Sequence, residues 1–391
     1  MSYNFDQEIE RRNTNCIKWD CLEEFYGKDD ILPLWVADTD FEAPKEVKEA
    51  IIERAKHGVF GYTAKPDSVY QSIMDWMEKR HGWQIEKDWL SFTTGVKTAF
   101  NLAVIAFTNP GDEVIVQPPV YGPFYSAIKN NGCQVVRNPL NYEDGKFKMD
   151  FDDLEKKITS RTRLLILCSP HNPVGRVWTE AELERIGRIC LENDIIIISD
   201  EIHSDFVHTD HKHIPLASLS EELAQNTVTC IAPNKTFNVA GLCSGATIIP
   251  NEKLRNIYDT TIENTGAKPN LFGILGMDAA YRHGEDWLES LLEYLESNLE
   301  FLFDFFEERI PEIKPNRPEG TFLVWLDCRE LDIDADKINE FIVEEAKVAL
   351  NDGTFFGPEG AGFQRINIGC PRSTLKEGLE RIEKAVRKLR D

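Results

Sequence analysis

The sequence lacks any run approaching the roughly 20 consecutive apolar residues that a membrane span requires. Its opening stretch, MSYNFDQEIERRN, also lacks the apolar core of a secretory signal. A cytoplasmic location with no membrane partner is the expectation. Basic residues are outnumbered: 44 Lys and Arg face 67 Asp and Glu, a formal net charge of -23. Such a balance repels nucleic acid and anionic lipid, and no local basic patch offsets it, so no nucleic-acid partner is expected. The nine cysteines include no CxxC pair. An odd, scattered set in a chain of this size excludes a disulfide framework and reads as reduced core thiols. Histidine is dense only at His208-Thr-Asp-His211-Lys-His213, where charged neighbours and Pro215 suggest a surface loop. No metal is expected there or elsewhere. Repeats, linkers and low-complexity tracts are missing too.

What the chain does have is enough apolar material, 42% of 391 residues, for one large core and a smaller one closely associated with it. Short aliphatic runs alternate with helical patterns through the middle, the signature of a mainly parallel sheet wrapped by helices. The runs are Glu113-Val-Ile-Val116, Arg163-Leu-Leu-Ile-Leu167, Ile195-Ile-Ile-Ile198 and Thr227-Val-Thr-Cys-Ile231. Thr179 is placed to cap a helix carrying Leu183, Ile186, Gly187 and Cys190 at helical spacing. A longer helical stripe, Trp287, Leu291, Leu295, Leu299, Leu302 and Phe306, runs until Pro311 and Pro315 stop it and is expected to bridge the two cores. Strands at Thr321–Leu326 and Phe363–Ile368, with helices around 336 to 347 and 373 to 389, build the smaller unit. The expected division is a large domain over 46–285 and a small one formed by 1–45 with 286–391.

In open parallel sheets, ligands sit beyond the C-terminal ends of the strands. Three such ends carry chemistry. Cys168-Ser-Pro-His-Asn172 follows the first, Ser199-Asp200-Glu-Ile-His203 the second, and Ala232-Pro-Asn-Lys235 the third. Singly, these read as a turn asparagine, a helix-capping aspartate and a solvated lysine. Together, a carboxylate, an amide and an amine are what a pyridine cofactor needs for its ring nitrogen, its phenolic oxygen and its carbon. A fourth element, Thr93-Thr-Gly95-Val96-Lys97, follows a short strand-like run and opens a helical pattern, so its free N–H groups suit an anion.

These residues resemble a fold type I pyridoxal-phosphate enzyme of the class I/II aminotransferase family, over nearly the whole chain. Four strings resemble its cystathionine β-lyase, or carbon–sulfur lyase, branch: Leu32-Pro-Leu-Trp-Val-Ala-Asp-Thr-Asp-Phe41, Ser199-Asp-Glu-Ile-His203, Lys235-Thr-Phe-Asn-Val-Ala-Gly241 and Arg365-Ile-Asn-Ile-Gly-Cys-Pro-Arg372. The resemblance implies an α/β fold with a large, mainly parallel domain and a smaller α+β domain. It implies pyridoxal 5'-phosphate held by Lys235 as a Schiff base, by Asp200 at the ring nitrogen and by Asn172 at the phenolic oxygen, with His203 nearby. It also implies Tyr121 stacked on the ring, and Val96 and Lys97 on the phosphate. Tyr62 falls where a tyrosine crosses from the neighbouring subunit, which implies a homodimer. Arg365, with Asn172, falls on the substrate carboxylate, for which a planar fork of donors is suited. Lys235 is then the catalytic base.

Two positions depart from the family pattern. Ala232 and Cys243 stand where phosphate-binding Ser or Thr and Arg or Lys are common. Gly357-Pro-Glu-Gly-Ala-Gly362 has no strand-to-helix context and reads as a flexible approach to the Arg365 strand. Trp35 and Asp38 are candidates to close over the substrate side chain. The activity implied is β-elimination from cystathionine or a related sulfur-containing amino acid. The alternatives are an aminotransferase using the same residues and a non-catalytic regulator that retains the cofactor.

Overall fold

The computed structural model describes residues 3–143 and 145–390. Its centre is a seven-stranded sheet in the order Leu90–Thr93, Gly245–Ile248, Thr227–Ile231, Ile196–Asp200, Thr162–Cys168, Glu113–Val116, Gln134–Arg137. All strands run parallel except Gly245–Ile248, which pairs antiparallel with both of its neighbours. The aliphatic runs form it because both faces are covered by helices, so every second residue need not be polar. Ile197, Ile198, Leu164, Leu165, Val114 and Ile115 are all fully buried.

Register decides what the sheet delivers. Cys168 lies opposite Asp200, and Asp200 opposite Cys230, so three strands end level with one another. At the antiparallel strand, Gly245 faces Thr93, and a Cβ on Gly245 would stand 2.8 Å from the Gly95 Cα. Glycine there lets the turn before the helix Val96–Phe107 close onto the sheet.

A second, antiparallel sheet runs Lys314–Asn316, Leu323–Asp327, Phe363–Asn367, Asn351–Asp352. Trp325 stacks on Phe363 across it, centroids 5.3 Å apart and planes within 9°. The N-terminal segment joins this region: Leu32–Pro33 pairs in parallel with Val348–Ala349, and the Asn367 N–H donates to the Leu34 carbonyl at 2.9 Å. The helix Glu285–Arg309 buries the stripe from Trp287 to Phe306. Trp287 packs near Phe237, while the Asn298 amide donates to the carbonyls of Ile368 and Cys370, both at 2.9 Å. The helix therefore touches both sheets' surroundings.

Thr179 caps Glu180–Glu192 as expected, with Glu182 completing a reciprocal capping box. Elsewhere the structure departs from the sequence reading. In place of one helix over 336 to 347, α-helix covers only Ile338–Phe341 and widens into a π turn over Ile342–Ala346. The wider winding keeps Ile342, Val343 and Ala346 all buried before Lys347 ends it in the left-handed region. The histidine loop is only partly surface. His208 is buried against Glu296 (2.8 Å) and the Thr321 carbonyl (2.9 Å), and His213 against Glu201 (2.9 Å), leaving His211 exposed. The His208 partners lie far along the chain, and Glu201 stands twelve residues before His213, just past the end of a strand, so the loop's own composition reveals neither contact. The segment read as flexible, Gly357–Gly362, packs tightly instead: two short 3-10 turns place Gly360 against Gly353, where a Cβ would meet the facing carbonyl oxygen at 2.0 Å. All nine cysteines are free thiols, six of them buried. No helix among the described residues is long and apolar enough to cross a membrane.

Candidate active site

Beyond the level ends of the three parallel strands opens a cavity of about 480 Å³. Eight of the nine site residues expected from sequence line it: Val96, Lys97, Tyr121, Asn172, Asp200, His203, Lys235 and Arg365. Tyr62 does not. It stands fully exposed in the stretch before the helix Asp67–His81, beside exposed Val59 and Phe60. A larger cleft of about 680 Å³ lies between the histidine loop and the helix Glu285–Arg309, where Glu289, Glu293, Glu296 and Glu300 form one wall. It gathers carboxylates and imidazoles but neither Lys235 nor Arg365, so the chemistry converges on the smaller cavity.

Lys235 sits on a single helical turn, Pro233–Thr236, started by proline at its first position. The turn is pinned from below, where the Thr236 hydroxyl donates to Asp205 at 2.6 Å and Asp205 also takes Trp76 and His81. The Lys235 ammonium donates to the Ala37 carbonyl at 2.5 Å. Desolvation in the cavity wall lowers its pKa from the ordinary lysine value. Asp200, the last residue of its strand, is buried, and that burial pushes its pKa up to about 7. Asn172 follows Cys168 by one turn and accepts from Arg365 Nη1 at 2.9 Å. His203 is pushed down to about 3 by burial, with Lys235 and Arg365 adding to it, so its imidazole is neutral at ordinary pH. Its Nδ1 is buried without a partner. Burial also raises the Tyr121 phenol to about 12.

Arg365 projects from the strand Phe363–Asn367 of the other sheet. Its Nη2 donates to the Trp35 carbonyl at 2.8 Å and to the Asn351 amide oxygen, and its guanidinium lies 4.9 Å from the Phe356 ring centroid. Burial lowers its pKa to about 10. At the other end of the cavity, Gly95 at φ +142° precedes Val96 and Lys97 at the start of the helix Val96–Phe107. Asn234 Oδ1 and Ser244 Oγ, from segments that meet this turn or adjoin it, are buried without partners.

A strap, residues 35–41, passes over these groups. Six of its seven carbonyls accept from side chains: Trp35 from Arg365, Val36 and Asp38 from Asn367, Ala37 from Lys235, and Thr39 and Phe41 from Asn238. Trp35 lines the cavity, and its indole N–H donates to the Lys18 carbonyl at 3.1 Å. Asp38, expected beside it, turns instead to Arg11 at 2.7 Å and is not among the cavity's lining residues.

The model for aminotransferases of class I and II matches residues 29–382. The chain belongs to the class I/II aminotransferase family. It is 43% identical to cystathionine beta-lyase PatB of Bacillus subtilis, over 98% of this chain and all of that protein. Among solved structures, a PLP-bound protein from Clostridium difficile 630, provisionally labelled an aminotransferase, superposes with a TM-score of 0.97 at 44% identity, covering 98% of this chain and 100% of the other. Cystalysin from Treponema denticola, which contains pyridoxal 5'-phosphate, superposes at 0.96 with 38% identity and complete coverage of both chains.

Three members of this class I/II family site escaped the sequence reading. Asn351 touches Arg365, Asn234 faces the Gly95 turn, and the Ala37 carbonyl takes the Lys235 ammonium. Asn234 had a signal, since it precedes Lys235 on the same turn. Asn351 could be found only by setting its strand against Phe363–Asn367, and a backbone carbonyl leaves no mark in a sequence.

Proposed function

We propose that this family member is a pyridoxal 5'-phosphate-dependent carbon–sulfur β-lyase, acting on cystathionine or related L-cysteine thioconjugates and releasing thiol, pyruvate and ammonia. Lys235, Asp200 and Asn172 follow three level strand ends and face Arg365 across one cavity, which supports the pyridoxal-phosphate chemistry, and the observation that carries β-elimination over transamination is the 43% identity to PatB along the whole chain. The names of PatB and cystalysin's cofactor support it.

The residues fit the cofactor. A buried Asp200 raised to about 7 is a carboxylate that a cationic ring N–H would hold ionised. Asn172 and His203 supply polar atoms for the phenolic oxygen, Tyr121 a face for the ring, and Val96 and Lys97 the helix N-terminal N–H groups for the phosphate. Asn234 lines the cavity with its amide Nδ2 toward the Gly95 turn, a donor where Ala232 and Cys243 supply no side-chain phosphate ligand. When bound, the cofactor supplies an electron sink for the bond broken at Cα.

The chain's own residues do the rest. Arg365 binds the substrate carboxylate and fixes the amino acid so that its Cα–H faces Lys235. Lys235, its pKa lowered by desolvation, is available as a free amine to take that proton. The sulfur leaves from Cβ with the bonding pair and takes the proton held by Lys235 to depart as thiol, and one water then hydrolyses the unsaturated amine left behind to pyruvate and ammonia. A homodimer completes the site, with exposed Tyr62 reaching the neighbouring cavity and Val59 and Phe60 covered at the contact. The same proposal includes a cytoplasmic location and a large domain over 46–285 with a small one over 1–45 and 286–391.

Incubation with cystathionine and no keto acid tests the activity. Stoichiometric thiol and pyruvate are expected; keto-acid-dependent exchange without thiol release would sink the lyase reading in favour of an aminotransferase. Mixing Tyr62→Ala with Lys235→Ala protomers should restore part of the activity that each has lost, and no restoration would refute the shared site.

A further inference from the structure

Three basic side chains are buried among the described residues: Lys18, Arg176 and Arg365. Two of them meet carboxylates. Lys18 bonds Asp40 at 2.7 Å, and Arg176 bonds Glu319 at 2.7 Å and Glu182 at 3.0 Å. Arg365 is held only by neutral acceptors, the amides of Asn172 and Asn351, the Trp35 carbonyl and the face of Phe356. A guanidinium carries five N–H donors. Three are used here, and the buried Nε–H has no acceptor.

Asn351 lies directly across from Arg365 in the strand pairing and lines the same cavity. Aspartate has nearly the same shape as asparagine and would make the stronger, charge-assisted bond to the fork. It would also neutralise the cation and compete with any incoming carboxylate. The amide holds the fork's direction without neutralising it.

We propose that Asn351 is a positioning residue: it aims the Arg365 fork while leaving its charge free, and thereby sets the enzyme's affinity for the substrate's α-carboxylate. This rests on the reading of Arg365 as the carboxylate ligand. The role is distinct from that of a structural asparagine, because changing the amide nitrogen to an oxygen keeps the shape while replacing a neutral donor group by a charged acceptor.

The test uses the cofactor-loaded enzyme and two ligands without a β-leaving group that differ in the carboxylate alone. L-Alanine has it, and L-alaninol replaces it with a hydroxymethyl group. Dissociation constants are read from the change in cofactor absorbance, beside KM and kcat for cystathionine. Asn351→Asp should weaken L-alanine by at least about 30-fold and leave L-alaninol within about threefold, raising KM far more than it lowers kcat. Asn351→Ala should weaken L-alanine by about three- to tenfold with the same selectivity, and it decides the matter if the aspartate variant does not fold. Equal weakening of both ligands, or wild-type affinity for L-alanine in the variant measured, would overturn the proposal. Arg365→Ala separates the two claims. If it leaves L-alanine binding unchanged, the reading of Arg365 fails; if it weakens L-alanine while the Asn351 variants do not, only the role of Asn351 fails.

Discussion

The strap over residues 35–41 divides two groups of cations that the protein treats in opposite ways. On one side, Arg11 and Lys18 meet Asp38 and Asp40. On the other, Arg365 and Lys235 meet only carbonyl and amide oxygens. Burial pulls Lys18 down, but Asp40 and Asp38 outweigh it and raise its pKa, whereas desolvation lowers Lys235. Arg11 is likewise raised by its carboxylates against burial, and Arg365 is lowered to about 10. A cation matched by carboxylates fastens the chain. One matched by neutral oxygens keeps its charge, or gives up its proton, for something that arrives later.

The largest expected effect tests the reactive side. Lys235→Ala should reduce thiol and pyruvate formation by about 10⁴-fold, because no neighbouring group replaces the base, while urea unfolding of the cofactor-free protein shows no loss of stability. A variant within tenfold of wild type would erase the distinction between the two lysines. On the fastening side, Asp40→Ala leaves Lys18 buried without its partner and should lower unfolding free energy by about 3–5 kcal/mol, read from the urea midpoint. If stability is unchanged, the cluster is not what secures the strap. Arg365→Ala is the intermediate case: kcat/KM for cystathionine should drop by about ten- to a hundredfold, with the cofactor spectrum intact and stability undiminished. Destabilisation comparable to that of Asp40→Ala would make Arg365 another fastener.

Alkaline titration gives the smallest effect and the clearest sign. With its folded pKa raised, Lys18 contributes stability that is fully present below the unfolded value of about 10.4 and is lost as pH rises through the folded value. Lys235, with its folded pKa lowered, has the reverse sign: it costs stability near neutrality, and the cost fades as pH approaches about 10.4. In cofactor-free protein between about pH 9 and 11, Lys18→Met should flatten the decline in urea midpoint and Lys235→Met should steepen it. Slopes that change in the same direction would contradict the opposed environments.

The two sides were not equally legible in the sequence. Aliphatic runs located the strands, and the residues just after them located Asn172, Asp200 and Lys235, because a parallel sheet brings strand ends together whatever the loops do. Thr179 and Glu182 announced a helix start through local spacing alone. Asn351 carried no such signal, since its significance comes from strand pairing with Arg365. The burial of His208 and His213 was hidden for the same reason, their carboxylates being supplied by Glu296 and Glu201. Asp38 was misjudged because a strap's two faces cannot be told apart before its carbonyl partners are known.

Those carbonyl contacts also govern how the protein can vary. The strap's course is written chiefly in Asn238 and Asn367, both distant in sequence, and it is read through a backbone that every residue type shares. Val36 and Ala37, which line the cavity, can therefore mutate without erasing the instructions that place them. A combinatorial library at those two codons should yield mostly folded members with altered tolerance for the leaving thiol, whereas the same diversity at Asn238 or Asn367 should yield mostly misplaced straps. New specificity is within single-codon reach here because position and surface chemistry are encoded in different parts of the gene.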